Sequence, residues 1–207
     1  MHEGGVEHRP RLHFDHALIA VADLEGSAAS FEARFGLKAF PGGRHPGVGT
    51  ANAIVPLGAR QYLELITVVD RDEAERDPLR RRVLDALDSG ATFAGWALRT
   101  GDLAAAGSAL ELGHVADGAR ERPDGTRLEW RTAQLTGAQR GSGVPFLIDW
   151  GATEHPGGTG GAQRVRRLEI EGLGDLLAGV ELDVGLKVRP GAAPRLVAVE
   201  LEGLTIR

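Results

Sequence analysis

The chain contains no cysteine, which excludes disulfides, thiolate metal sites and cysteine nucleophiles. No apolar run approaches the roughly 20 residues that span a bilayer. The opening segment, MHEGGVEHRPRLH, lacks the apolar centre of a signal peptide. There is no basic excess: 24 Lys and Arg stand against 29 Asp and Glu, a net charge of −5. Nucleic-acid and membrane-surface binders need a basic face, so neither partner is expected. No Gly-rich stretch leads into a Gly-Lys-Ser/Thr, so there is no phosphate loop. No GxSxG and no nucleophile with a base beside it supports a hydrolase. A cytoplasmic location is expected by default, for a monomer or a homodimer.

What is present is ordinary globular composition, 42% hydrophobic and 26% charged over 207 residues, with 30 glycines and 10 prolines. That many turn residues favours short strands over long helices. Residues 1–11 are polar and are expected to be a flexible N-terminal segment, with His2 and His8 as surface histidines. From Leu12 to Val21 the chain reads as a strand, with Asp15, Ala17, Ile19 and Val21 on one face and Phe14, His16, Leu18 and Ala20 on the other. Asp23 can cap a helix whose apolar positions are Leu24, Ala28, Phe31 and Phe35, and Gly36 can stop it. A second strand begins at Leu37, Pro41 to Gly49 reads as a loop, and strands follow at Thr50–Leu57 and Gln61–Val69. The charged segment 71–90 reads as a connector, with Asp77-Pro78 opening a helix lined by Leu79, Val83 and Leu87.

The second half repeats the first. His16 and Gly95, and Asp23 and Asp102, are each 79 residues apart, within the similar stretches HALIAVADL and GWALRTGDL. A helix is expected from Leu103 to Leu112, then strands at Arg127–Leu135 and Val144–Trp150. The organisation is therefore a first module over 12–70, the connector, a second module over 91–161, and a β-rich extension over 162–207 that looks like an incomplete third unit. A repeat of this length is a duplicated supersecondary unit and not a solenoid.

A strand–helix–three-strand unit used twice, with His in the first strand and Glu in the fourth, resembles the vicinal oxygen chelate superfamily. The likeness is greatest to its glyoxalase-like domains, through DHALIAVADL, GGRHPGVGTANA, YLELI and PFLIDW followed by His155-Pro156. The resemblance implies an α+β fold of two βαβββ modules, of the glyoxalase/dihydroxybiphenyl dioxygenase type. They would form a curved mixed sheet with helices outside and the site on the concave face, often with a divalent metal. It places His16 and Glu64 at the metal positions of the first module, for Zn, Mn, Ni, Mg or Fe. The second module has Gly95 where its histidine would be, so the ligand set is incomplete and the cofactor is either such a metal or none.

Alternation alone agrees that His16 and Glu64 face inward, because Ala17, Ile19, Leu63 and Leu65 suit the helix side. A carboxylate in the middle of YLELI needs a partner, either a ligand or an arginine such as Arg60 or Arg99. Glu64 and Asp149 are the candidate catalytic carboxylates. His45, Thr50 and Asn52 in the Gly-rich stretch, together with Arg99, Trp150 and His155, are candidate substrate contacts, with Arg99 suited to a substrate carboxylate. Two functions follow: a metal-assisted lyase or isomerase acting on a small polar carbonyl or carboxylate compound, or a metal-free module that binds or sequesters such a compound.

Overall fold

The computed structural model describes residues 9–136, 141–158 and 161–207. His2, His8 and most of the expected N-terminal segment lie outside them.

The first module is β1 (Arg11–Ala20), α1 (Leu24–Phe35), β2 (Phe40–His45), β3 (Thr50–Pro56) and β4 (Tyr62–Val68). Asp23 caps α1 by accepting from the backbone N–H groups of Glu25 and Gly26, and Gly36 ends it in the left-handed conformation, φ 69°. The stretch expected as a loop over 41–49 is mostly strand: β2 and β3 form a hairpin in which His45 stands opposite Thr50. Glycines and a proline hid that strand, because both weaken the alternation that marks one.

Two helices follow, α2 (Arg71–Arg76) and α3 (Pro78–Ser89). The short α2 falls where only a charged connector is expected. Asp77 accepts from the N–H groups of Leu79 and Arg80 at the head of α3. The second module is β5 (Phe93–Arg99), α4 (Leu103–Gly107), β6 (Leu112–Glu121), β7 (Arg127–Leu135) and β8 (Phe146–Asp149). Its helix is half the expected length. Leu112 already belongs to β6, a strand whose exposed, charged composition gives little sequence signal.

The two modules pair within one chain. Each has the same order, β1-β4-β3-β2 and β5-β8-β7-β6, with parallel pairing between its first and fourth strands. β1 pairs antiparallel with β5 and β2 meets β6, so eight strands close into a ring. The β2–β6 seam is narrow, a single register pair of Arg44 with Glu121.

The extension contains β9 (Arg167–Glu171), β10 (Glu181–Leu182), β11 (Gly185–Arg189), β12 (Arg195–Leu201) and β13 (Leu204–Ile206). It is β-rich, but its pairing differs from that of the modules. β9 lies parallel to β11 and antiparallel to β12 in a separate four-stranded sheet, and β10 joins the edge of β1.

Alternation along the strands sorts the core into two faces. Ala17, Ile19, Leu63, Leu65, Trp96 and Leu98 pack outward with Phe31 of α1, Leu103 of α4 and the extension. Leu18, Ile54, Tyr62, Ile66, Ala97, Phe146 and Ile148 pack inward, and α3 joins them through Leu79, Val83 and Ala86. The connector helix therefore lies across the concave face and covers it. Its apolar stripe is legible at helical spacing; which of two faces the stripe packs on is not.

At the seam, Gly43 has φ 132°, and a Cβ there would stand 1.8 Å from the Glu121 carbonyl oxygen. Gly43→Ala is therefore expected to destabilise the fold by about 3 kcal/mol through strain and separation of β2 from β6. Denaturant unfolding checks this, and an unfolding free energy equal to that of the parent protein would show that the seam tolerates a side chain.

Candidate functional site

The site is organised by a bulge in β1. The register against β5 shifts between Phe14 and His16, so Phe14 joins the outer core while Asp15 and His16 both turn toward the inner groups. Asp15, expected on the helix side with Ala17, is instead fully buried beside the site. It was missed because a bulge leaves no mark in a two-residue alternation.

Asp15 gathers four donors. Its Oδ1 accepts from His16 Nδ1 at 2.7 Å. Its Oδ2 accepts from His155 Nε2 at 2.9 Å, Trp150 Nε1 at 3.1 Å and Arg99 Nη1 at 3.3 Å. Burial alone would raise the Asp15 carboxyl; the hydrogen bonds and charge of His155 and His16 outweigh it and hold it well below the usual carboxylate range. His155 has both ring nitrogens engaged, since its Nδ1 accepts from the Gly157 N–H at 3.1 Å. That fixes a neutral tautomer, and burial pushes its pKa down despite Asp15.

Because Asp15 takes the Nδ1 proton of His16, the other ring nitrogen is left facing Glu64. Nε2 lies 3.3 Å from Glu64 Oε2. Tyr62 stacks on the His16 ring with centroids 4.5 Å apart. Glu64 Oε1 accepts from Asn52 Nδ2 at 2.7 Å and lies 3.8 Å from His45 Nε2. Thr50 Oγ1 holds His45 Nδ1 at 2.9 Å. Burial, then the charges of Arg80 and Arg120, keep the His45 imidazole well below its ordinary pKa. Burial, with Asp15 and Glu64, pushes the Tyr62 phenol up, so it remains a donor at neutral pH.

These groups line a narrow, partly open cavity of about 20 Å³, together with Leu79, Arg80, Arg120, Trp130, Phe146 and Trp150. That is room for a water molecule or two. Trp130 and Trp150, 5.1 Å apart between rings, separate it from an open cleft of about 640 Å³ on the other side.

Of the residues expected from sequence, His16, Glu64, His45, Asn52 and Trp150 line this cavity, and Thr50 supports it from behind His45. His155 and Arg99 do not line it: His155 reaches it through Asp15 and through ring contacts with Tyr62 and Trp150, and Arg99 through Asp15 while also donating to the Arg60 carbonyl at 2.8 Å. Glu64 is met by Asn52, His16 and His45 instead. Asp149 lies apart, in the open cleft, where it accepts from Arg131 and from the Gly151 N–H. Asp15, Tyr62, Arg80 and Arg120 were not anticipated. Arg120 sits on the unrecognised β6, and Arg80 in the charged segment read as a connector.

The residues do not fit the metal set that the fold implies. Leu18 pairs with Glu64, and its repeat counterpart Ala97 pairs with Phe146. The second module therefore offers Gly95 and Phe146 where the first offers His16 and Glu64. Among the described residues no group of three or more His, Asp or Glu is placed to hold a metal ion, and Glu64 is already hydrogen-bonded.

The glyoxalase-like domain family model matches residues 14–174. The chain belongs to the glyoxalase-like domain family. No curated protein sequence matches it. Among solved structures it is similar to a hypothetical protein from Staphylococcus aureus, with TM-score 0.72 and 15% identity, covering 92% of this chain and 90% of that one. It is similar more distantly to a methylmalonyl-CoA epimerase of Streptomyces coelicolor, at TM-score 0.47 and 18% identity over 72% of this chain and 99% of that one. The methylmalonyl-CoA epimerase of Mycobacterium tuberculosis gives 0.45 and 19% over 66% and 86%. Among the described residues no helix is long and apolar enough to cross a membrane.

The buried imidazoles set a pH dependence. The folded pKa values of His45 and His155 lie below the ordinary 6.5, so below that pH the unfolded chain binds protons that the folded one refuses. Stability is then full above about pH 6.5 and falls with acid, by at most about 1.4 kcal/mol per pH unit for each histidine. Unfolding free energies between pH 8 and 5 check this. His45→Gln is expected to flatten the slope, and an unchanged slope would show that His45 is protonated when folded.

Proposed function

We propose that the chain is a lyase or isomerase of the glyoxalase-like type that moves a proton on a small polar carbonyl or carboxylate compound held at the inner face of the closed sheet. The observation that carries this is His16 Nε2 set 3.3 Å from Glu64 Oε2 at the inner-face cavity, with Asp15 fixing the imidazole. Glu64 Oε2 is the base that takes a proton from the carbon next to the carbonyl. Asn52 holds the other oxygen, so the carboxylate cannot turn away. His16 Nε2 is the second proton site of the pair, and returning the proton to a different position of the substrate completes an isomerisation with no net proton change. Tyr62 contributes a phenolic donor for the oxygen on which charge develops. No step requires a metal, whose ligand set is half filled.

A second reading is favoured by the small cavity under α3: the same groups bind or sequester a compound without turning it over. The open cleft beyond Trp130 and Trp150 would then hold the larger part of the ligand.

The two readings separate in deuterium oxide. Panels of 1,2-dicarbonyls and of 2-oxo and 2-hydroxy acids are incubated with the protein, and deuterium next to the carbonyl is followed by NMR. Exchange is expected with at least one compound, to survive dialysis against a chelator, and to fall by about 10²-fold or more in Glu64→Gln while the melting temperature stays near that of the parent. Exchange at the parent rate in Glu64→Gln would remove Glu64 as the base. Saturable binding with no exchange would leave sequestration as the function.

A further inference from the structure

The cavity holds more positive charge than its own groups balance. Arg120 from β6 and Arg80 from the first turn of α3 both line it, at 3% and 8% exposure. Arg120 donates to Asn52 Oδ1 at 3.1 Å, and Asn52 in turn donates to Glu64. Arg120 is thus linked to the one carboxylate lining the cavity among the described residues. Arg80 has no such link. Its Nε is buried without a hydrogen-bond partner, and no carboxylate among the described residues forms an ion pair with it. Asp15, behind His16, is already matched by Arg99. Three guanidiniums against two carboxylates leave one positive charge over, and the histidines do not offset it.

A buried guanidinium without a counter-charge is costly, and water cannot neutralise it. We propose that Arg80 is the anchor for the carboxylate group of a small organic anion bound in the cavity, with Arg120 beside it. This names the substrate class of the site proposed above and rests on ligand binding there. It does not depend on Glu64 being a base. The space at the cavity centre suits a carboxylate group and little more, so the remainder of the ligand displaces Leu79 or passes Trp130 and Trp150 into the cleft.

Acetate is the probe, with acetamide as its uncharged counterpart of the same shape. The melting temperature of the full chain is expected to rise with acetate and not with acetamide at equal ionic strength. Titration calorimetry should give an acetate affinity about tenfold weaker or more in Arg80→Met. In acetate-free buffer Arg80→Met should melt at or above the parent temperature, since an unpaired buried charge has been replaced by an apolar chain. Equal responses to acetate and acetamide, acetate affinity in Arg80→Met within about twofold of the parent, or a lower melting temperature for that variant would each overturn the proposal. Arg80→Lys keeps the charge and should keep part of the acetate response; if Arg80→Met does not fold, loss of that response in Arg80→Gln but not in Arg80→Lys decides it. Acetate binding without proton exchange on any compound would sink the catalytic reading and leave this one standing.

Discussion

The arrangement depends on a carboxylate with no contact to solvent. Asp15 is fully buried and accepts from His16, His155, Trp150 and Arg99. These come from β1, from β5 and from the segment after β8. One side chain therefore ties the first strand of each module to the end of the second module. An isolated buried carboxylate would be prohibitively costly; four donors, two of them imidazoles, repay its desolvation. The same bonds fix the tautomer of His16 and so decide which nitrogen faces Glu64. Stability and site geometry are here one set of hydrogen bonds, and neither can be altered without the other.

Duplication explains the shape of the site but not its chemistry. Both modules close the ring with the same pairing, yet Gly95 and Phe146 occupy the inward positions that correspond to His16 and Glu64. Phe146 packs edge-on against His16 at 5.5 Å between centroids. The second module thus supplies an apolar wall that presses the imidazole toward Glu64, in place of a second pair of ligands. A wall of low polarity strengthens the interaction between the two remaining groups.

The strand–helix–three-strand repeat, its caps at Asp23 and Asp77, and the inward direction of His16 and Glu64 were readable because they rest on periodicity and turn chemistry. His45, Thr50 and Asn52 were found through a Gly-rich stretch, although it is a hairpin and not a loop. What could not be read has physical causes. The β1 bulge that brings Asp15 inward changes register without changing residue type. The exposed β6 carries Arg120 in a sequence with no apolar alternation. Asp149 lies one residue off the inward parity of Phe146 and Ile148, and a single-residue slip sends a side chain to the other face. Arg80 stands in an Arg-rich run that composition alone assigns to water.

The position of α3 connects these points. A concave face left open would expose Leu18, Ile54, Ile66 and Ala94; Leu79, Val83 and Ala86 cover them. That cover brings Arg80 with it, next to Leu79 in the first turn. The helix therefore contributes favourable apolar burial and an unfavourable buried charge at the same end. Val83 and Ala86 extend the apolar packing along the helix, so burial of the whole stripe outweighs the cost of one guanidinium at its start.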